Sequence, residues 1–228
     1  MNDNRKVALV AGASGLVGQE LVTALCAAPE YGRILAVTRR PFLRNHPKIA
    51  NRIVRFDTLE AQLRGTTCTD AFCCLGTTIA AAGSEAAFRE VDHDLVLAFA
   101  RAARAAQAQR FALVSSIGAD AASRVFYLRV KGEIEAAVMT LGFPALDIMQ
   151  PGLLLGSRRD WRPREFLLQW TLPAIAPLML GRMQVYRPVR AATLARAMVG
   201  AARSGRRGVM RFTYPALRGL AAGVEAGA

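Results

Sequence analysis

Tyr127 and Lys131 stand four positions apart in the run Y-L-R-V-K-G-E, a spacing that puts both side chains on one face of a helix. A free tyrosine titrates near pH ~10, too high for an efficient acid or base at neutral pH. An ammonium held beside the phenol favours the phenolate and brings its titration down. Upstream, the apolar run Arg110–Val114 reads as a strand that stops on Ser115 and Ser116. A hydroxyl at such a strand end can donate a hydrogen bond to a carbonyl. A tyrosine, a lysine and a serine so arranged could move a proton on and off a carbonyl or alcohol oxygen. An amphipathic helix can also carry a tyrosine and a lysine at this spacing by chance, so the context decides.

That context begins near the N-terminus. Val7, Ala8, Leu9 and Val10 form the short apolar run of a buried parallel strand. Glycines follow at Gly12, Gly15 and Gly18, and then an apolar helical pattern at Leu21, Val22 and Leu25. A strand that turns on glycine into a helix leaves backbone N–H groups aimed at one spot, at the positive end of the helix dipole. Such a spot suits a pyrophosphate. Gly12 allows the tight turn, Gly15 close backbone approach, and Gly18 packing of the helix on the sheet. The second strand, Arg33–Val37, ends in Thr38-Arg39-Arg40 with no acid. An acid there would receive the ribose 2′-OH of NAD, whereas arginine accommodates the 2′-phosphate of NADP through paired hydrogen bonds. The expected cofactor is therefore NADP(H), whose cationic oxidised ring would further favour a Tyr127 phenolate.

These residues must be carried by alternating strands and helices, an α/β Rossmann-type doubly wound parallel sheet with a small C-terminal portion on the substrate side. Arg52–Phe56 reads as a third strand, with Asp57 after it open to two roles, partner of the adenine edge or cap of the next helix. Ala71–Leu75 reads as a fourth. Its end, Leu75-Gly76-Thr77, falls where ligands cross the carboxyl ends of the strands, so Leu75 and Gly76 would line the cofactor and Thr77 could bond to it. The helix after it buries Phe88, Val91, Leu95, Val96, Phe99 and Ala103; His93, between Asp92 and Asp94, takes no assigned role. Leu146–Met149 reads as a sixth strand, Gln184–Val189 as a returning one, Ala191–Ala202 as a helix and Val209–Tyr214 as a last strand. The small-residue tail from Gly219 reads as frayed.

The chain of 228 residues reads as a single domain, with residues 157–190 as a variable lid. The most apolar stretch, 166–180, is too short to span a bilayer and is interrupted by Pro173 and Pro177. It would be a lid, a docking surface or a core helix. The formal charge of +13 comes from arginines dispersed along the chain, without a basic tail or interleaved aromatics, which argues against specific nucleic-acid binding. Cys26, Cys68, Cys73 and Cys74 show neither metal-ligand spacing nor a disulfide framework. With no signal pattern at the N-terminus, a reducing, cytoplasmic setting is expected.

The segments G-A-S-G-L-V-G (12–18), T-R-R (38–40), F-C-C-L-G-T-T (72–78), V-D-H-D-L-V-L (91–97), S-S-I-G-A-D (115–120), Y-L-R-V-K-G-E (127–133) and P-G-L-L-L-G (151–156) occur in this order along nearly the whole chain. In them the chain resembles the atypical short-chain dehydrogenase/reductases, and more narrowly the HTATIP2/TIP30-like group of NADPH-binding proteins. The resemblance implies cofactor contacts at Ser14, Gly15, Leu16 and Val17, at Arg39 and Arg40, at Leu75 and Gly76, and at Leu154 and Arg162. It implies acid/base and support roles for Tyr127 and Lys131. For the carbonyl-binding hydroxyl it favours Ser116, with Ser115 as the near alternative. The chain departs from the group where basic residues often follow G-T-T, having Ile79–Ala82, and where an arginine often precedes the Pro-Gly, having Gln150.

The expected function is that of an NADPH-dependent oxidoreductase on a carbonyl or alcohol substrate. The rival is an NADPH-binding regulator or sensor acting through a protein partner, with an oligomer among the partner expectations.

Overall fold

The computed structural model describes residues 5–42, 44–55, 58–156 and 181–225. Strand β1 (Lys6–Ala11) is buried from Ala8 onward, and its alternate residues serve two separate cores. Ala8 and Val10 point into one, with helix α1 (Leu16–Ala27). Leu9 and Ala11 point into the other. Covering on both faces is why this strand reads as an unbroken apolar run rather than an alternating one.

In chain order, β2 (Tyr31–Thr38) and β3 (Ile49–Ile53) lead to a short helix α2 (Leu59–Gln62) and to β4 (Asp70–Cys73). Two short helices, α3 (Ile79–Ala82) and α4 (Glu85–Arg89), run through a π-helical turn at Glu90–Asp94 into α5 (Leu95–Ala105). Then come β5 (Arg110–Val114), α6 (Phe126–Met139), β6 (Ala145–Met149), β7 (Leu154–Leu155) and β8 (Val189–Arg190). Helix α7 (Ala191–Arg203), β9 (Gly208–Phe212) and α8 (Tyr214–Glu225) complete the described chain.

Seven strands form one parallel sheet in the order β3-β2-β1-β4-β5-β6-β9. Helices α1, α7 and α8 pack on one face, and α2, α5 and α6 on the other. The order runs outward in opposite directions from β1 and β4, so the crevice between their carboxyl ends is where this topology receives a ligand. The architecture is the Rossmann-type doubly wound sheet expected from the sequence.

Three local expectations are corrected. The third strand lies at Ile49–Ile53, not at 52–56. Asn51 sets that register: its amide donates to the Ala36 carbonyl and to Thr38 Oγ1, and a polar residue is tolerated because β3 is an edge. Residues 184–189 do not return as a strand. Gly181–Tyr186 form a 3-10 helix, and pairing begins only at Val189, after Pro188, which has no N–H to give a ladder. The segment after Gly219 is not frayed as far as residue 225. It lies in α8, where Leu217 and Ala221 are buried against α7. A methyl on Gly200 would stand 2.4 Å from the Leu220 carbonyl oxygen, so the small residues serve close helix packing. Phe56, Asp57, Arg162 and the 166–180 stretch lie outside the described residues.

Candidate nucleotide and proton-transfer site

The site is assembled from loops at the carboxyl ends of β1, β4, β5 and β6. Gly12 takes φ +75, and a methyl there would lie 2.5 Å from the Cys74 carbonyl oxygen and 2.8 Å from the Leu75 nitrogen. The turn after β1 is thus pressed against the loop after β4. Gly18 is as confined: a methyl would stand 2.0 Å from the Gly12 oxygen. Ser14 and Gly15 are exposed at the mouth of the crevice, and Leu16 is half-buried, while Val17 and Gly18 are buried beneath them. Among the described residues no side chain caps the N-terminus of α1. Its first N–H groups therefore remain available where the helix dipole is positive, and this cradle fits a dinucleotide pyrophosphate.

Arg39 and Arg40 are exposed on the turn after β2. The backbone of that turn is held: Thr38 Oγ1 donates to the Arg40 carbonyl at 2.7 Å, and the Phe42 N–H donates to Asn51 Oδ1 at 2.9 Å. Asn51 thereby shapes the turn that presents the two guanidiniums. Beyond β6, Gly156 lies so near Leu16 that a methyl would meet its Cδ1 at 2.4 Å, and Leu154 packs on the same core as Leu16. The loop after the Pro-Gly turn is thus brought to the start of α1.

Helix α6 carries Tyr127 and Lys131 together towards this crevice. The phenol ring of Tyr127 packs on buried Phe88 of α4, centroids 5.4 Å apart, and Arg89 pairs with Glu133. One turn on, Asp92 pairs with Lys131, Oδ1 to Nζ 2.7 Å. Both are buried, at 1% and 4% exposure. Asp92 Oδ2 accepts the Thr77 N–H at 2.8 Å, and a methyl on Gly76 would stand 3.3 Å from Asp92 Oδ1 and 3.9 Å from Lys131 Nζ. Burial alone would lower the pKa of Lys131; the Asp92 carboxylate, and after it Tyr127, more than offset this, and the net direction is upward. The Gly76-Thr77 loop, α6 and the π turn are thus tied at one point.

The two serines part company. Ser115 is buried and its hydroxyl donates to Glu135, which also accepts from Gln150 Nε2 at 2.9 Å and pairs with Arg211 at 3.2 Å. Ser115 is therefore engaged in a network joining α6 to β6 and β9. Ser116 is half-buried, and its hydroxyl makes only a long contact to the neighbouring Ile117 carbonyl, 3.3 Å. That leaves Ser116 the freer to donate elsewhere. Gln150 serves Glu135 as a neutral donor while the cation arrives from Arg211.

Two residues of this site carry no role in the sequence reading: Asp92, a neighbour of His93 there, pairs with Lys131, and Asn51, outside the expected third strand, lies in β3.

Comparison with known proteins bears on this site. Residues 8–125 match the model of the NAD dependent epimerase/dehydratase family. The chain is similar to Protein fmp52, mitochondrial, of Emericella nidulans, 39% identical over 181 residues covering 74% of this chain and 75% of that protein. It is also similar to Protein HTATIP2 of Rattus norvegicus, 36% identical over 166 residues, 71% of this chain and 68% of that one. Among solved structures, human epimerase family protein SDR39U1 (isoform 2) with NADPH superposes with a TM-score of 0.62 at 19% identity, covering 92% of this chain and 74% of that one. The expected cytoplasmic location is overturned: fungal relatives from three genera are named as mitochondrial proteins. Among the described residues no helix is long and apolar enough to cross a membrane.

Proposed function

The chain belongs to the NAD-dependent epimerase/dehydratase family, of oxidoreductase-type NAD(P)-binding proteins, and from that premise we propose that it is an NADPH-dependent oxidoreductase of the short-chain type acting on a carbonyl or alcohol. The observation that supports this best is the meeting of two independent groups at one crevice. Gly12 lies against Cys74 and Leu75, and Gly76 lies beside the Lys131 ammonium, so the phosphate cradle and the proton-transfer face share the β4 loop.

In this reading the first backbone N–H groups of α1, at Leu16 and Val17, hold the pyrophosphate beside Ser14 and Gly15, Arg39 and Arg40 hold the 2′-phosphate, and Leu75, Gly76, Thr77 and Leu154 line the cofactor. When bound, the nicotinamide supplies or accepts the hydride. Tyr127 gives a proton to the substrate oxygen during reduction and takes it back during oxidation. Ser116 donates a hydrogen bond to the same oxygen and fixes its direction. Lys131 stands near Tyr127 on the same face of α6 and offers donors to the cofactor ribose. Phe88, packed at a tilt against the Tyr127 ring, limits the positions its hydroxyl can take.

The test begins with calorimetric titration by NADPH and NADH of the wild-type protein and of an Arg39→Ala/Arg40→Ala variant. Hydrogen bonds to a charged group are worth about 1.5–3 kcal/mol each. The variant is expected to lose at least ten-fold in NADPH affinity and little in NADH affinity. A carbonyl screen by NADPH oxidation then follows, in which Tyr127→Phe abolishes turnover and keeps NADPH binding. Tyr127→Phe as active as wild type on a true substrate defeats the assignment. Tight NADPH binding with no turnover across the screen moves the reading to a regulatory role.

A further inference from the structure

Lys131 is a buried ammonium whose charge is matched by a buried carboxylate. A buried ion pair gives the fold little that two apolar side chains of similar volume would not, because desolvation offsets the attraction. Elsewhere α5 and α6 do pack through apolar residues: Val96, Phe99, Ile134 and Val138 lie in one core. The pair therefore calls for an explanation beyond stability, and its place suggests one. Asp92 is presented on the π-helical turn Glu90–Asp94, an irregularity frequent at functional sites. It is buried while its neighbour Asp94 stays 60% exposed. Its Oδ2 is fixed by the Thr77 N–H. Its Oδ1 lies 2.7 Å from the ammonium, a close charge-assisted contact. Gly76, whose missing methyl would touch both groups, is exposed at the crevice, so nothing larger than a glycine separates the pair from that space.

We propose that Asp92 is a positioning residue that sets the charge of the crevice: it holds the Lys131 ammonium in place and cancels it, so that an oxidised, cationic nicotinamide is tolerated nearly as well as a reduced, neutral one. This rests on the NADPH reading of the site. The reasoning is a count of charges. With Asp92 and Lys131 both present the pair sums to zero. Without Asp92 the crevice carries an uncompensated positive charge that repels the oxidised ring. Without Lys131 it carries a negative charge that attracts it. An opposite or like unit charge close by in a partly desolvated site changes affinity on the order of ten-fold.

The experiment measures the dissociation constants of NADP+ and NADPH by calorimetry for wild type, Asp92→Asn, Lys131→Met and the double variant, and takes their ratio, oxidised over reduced. Asp92→Asn is expected to raise that ratio about ten-fold and Lys131→Met to lower it by a similar factor. The double variant is expected to return to within about three-fold of wild type, although its absolute affinities fall. A merely structural role would weaken both nucleotides together and leave the ratio still. An unchanged ratio in Asp92→Asn, or a shift in the same direction in both single variants, overturns the proposal. If Asp92→Asn does not fold, Lys131→Met carries the test alone, and a ratio that fails to fall there is decisive against it. Wild-type protein that binds neither nucleotide ends both this proposal and the reading beneath it, whereas normal binding with a flat ratio ends only this one.

Discussion

The three glycines of the first turn look alike in the sequence, and the structure separates them into two whose backbone positions require glycine and one, Gly15, whose position does not. Gly12 has φ +75 and would place a methyl 2.5 Å from backbone oxygen of Cys74. A left-handed conformation costs an ordinary residue about 1–2 kcal/mol, and overpacking against backbone adds about 1–3 kcal/mol. Gly12→Ala should therefore lose about 2–5 kcal/mol, a fall in Tm of roughly 4–20 °C for a chain of this size. Gly18→Ala, with a methyl 2.0 Å from the Gly12 oxygen, should fare as badly. Gly15 is different. It has φ -78 and ψ 174, which any residue adopts, and its methyl would lie 3.2 Å from the Gly12 oxygen, relieved by a shift of a few tenths of an ångström. Gly15→Ala should keep its Tm within about 4 °C of wild type. It should nevertheless lose about ten- to hundred-fold in NADPH affinity, because its methyl stands in the exposed mouth that the pyrophosphate must approach. Thermal denaturation gives the first quantity and calorimetric titration the second. A folded Gly15→Ala that binds NADPH as wild type does would refute the cradle, since among the described residues no contact requires a glycine at that point.

Glu135→Ala should lower stability by about 1–3 kcal/mol, because it strands the buried Ser115 hydroxyl and the Gln150 amide, and chemical denaturation that finds no loss would show these groups find other partners. The thiols of Cys68 and Cys73 are pushed up to about 12 by burial, so both stay protonated and inert near pH ~8. A disulfide exchange reagent should label Cys26 first in the native protein, and labelling of Cys73 as fast as in denaturant would contradict the packing of β4.

The fold was legible because its strands are covered on both faces. An apolar run such as Val7–Val10 reads as a buried strand because a glycine turn and a helical pattern follow it, and Arg110–Val114 and Leu146–Met149 read as strands from their short apolar runs and are buried throughout. It weakened where burial weakens. β3 is an edge strand with Asn51 to Ile53 exposed, so its register rests on the Asn51 amide and leaves no apolar signature. The last helix failed for the opposite reason. Gly219, Ala221, Ala222 and Gly223 read as a tail because small residues favour no local structure, yet small residues are what a helix needs to lie close on Gly200.

The candidate site divides along the same line. The glycines of the first turn are legible in the sequence because Gly12 and Gly18 sit where backbone leaves no room for a methyl. Asp92 was not read, although its signal was present. It stands four residues after Phe88 and four before Val96, inside the stripe that was read as the buried face of the helix. An acid in such a stripe must meet a cation or bury an unpaired charge, at a cost of several kcal/mol. The cation sits thirty-nine residues later on a different helix, and the π turn that aims the carboxylate has no sequence signature at the level of periodicity. An acid flanked by apolar residues at i−4 and i+4 is thus a question that the sequence can pose, and only the packing of α5 on α6 can answer it. Here the answer is the one lysine that was already assigned a role in proton transfer, which is why the charge of Asp92, rather than its volume, is the property to change first.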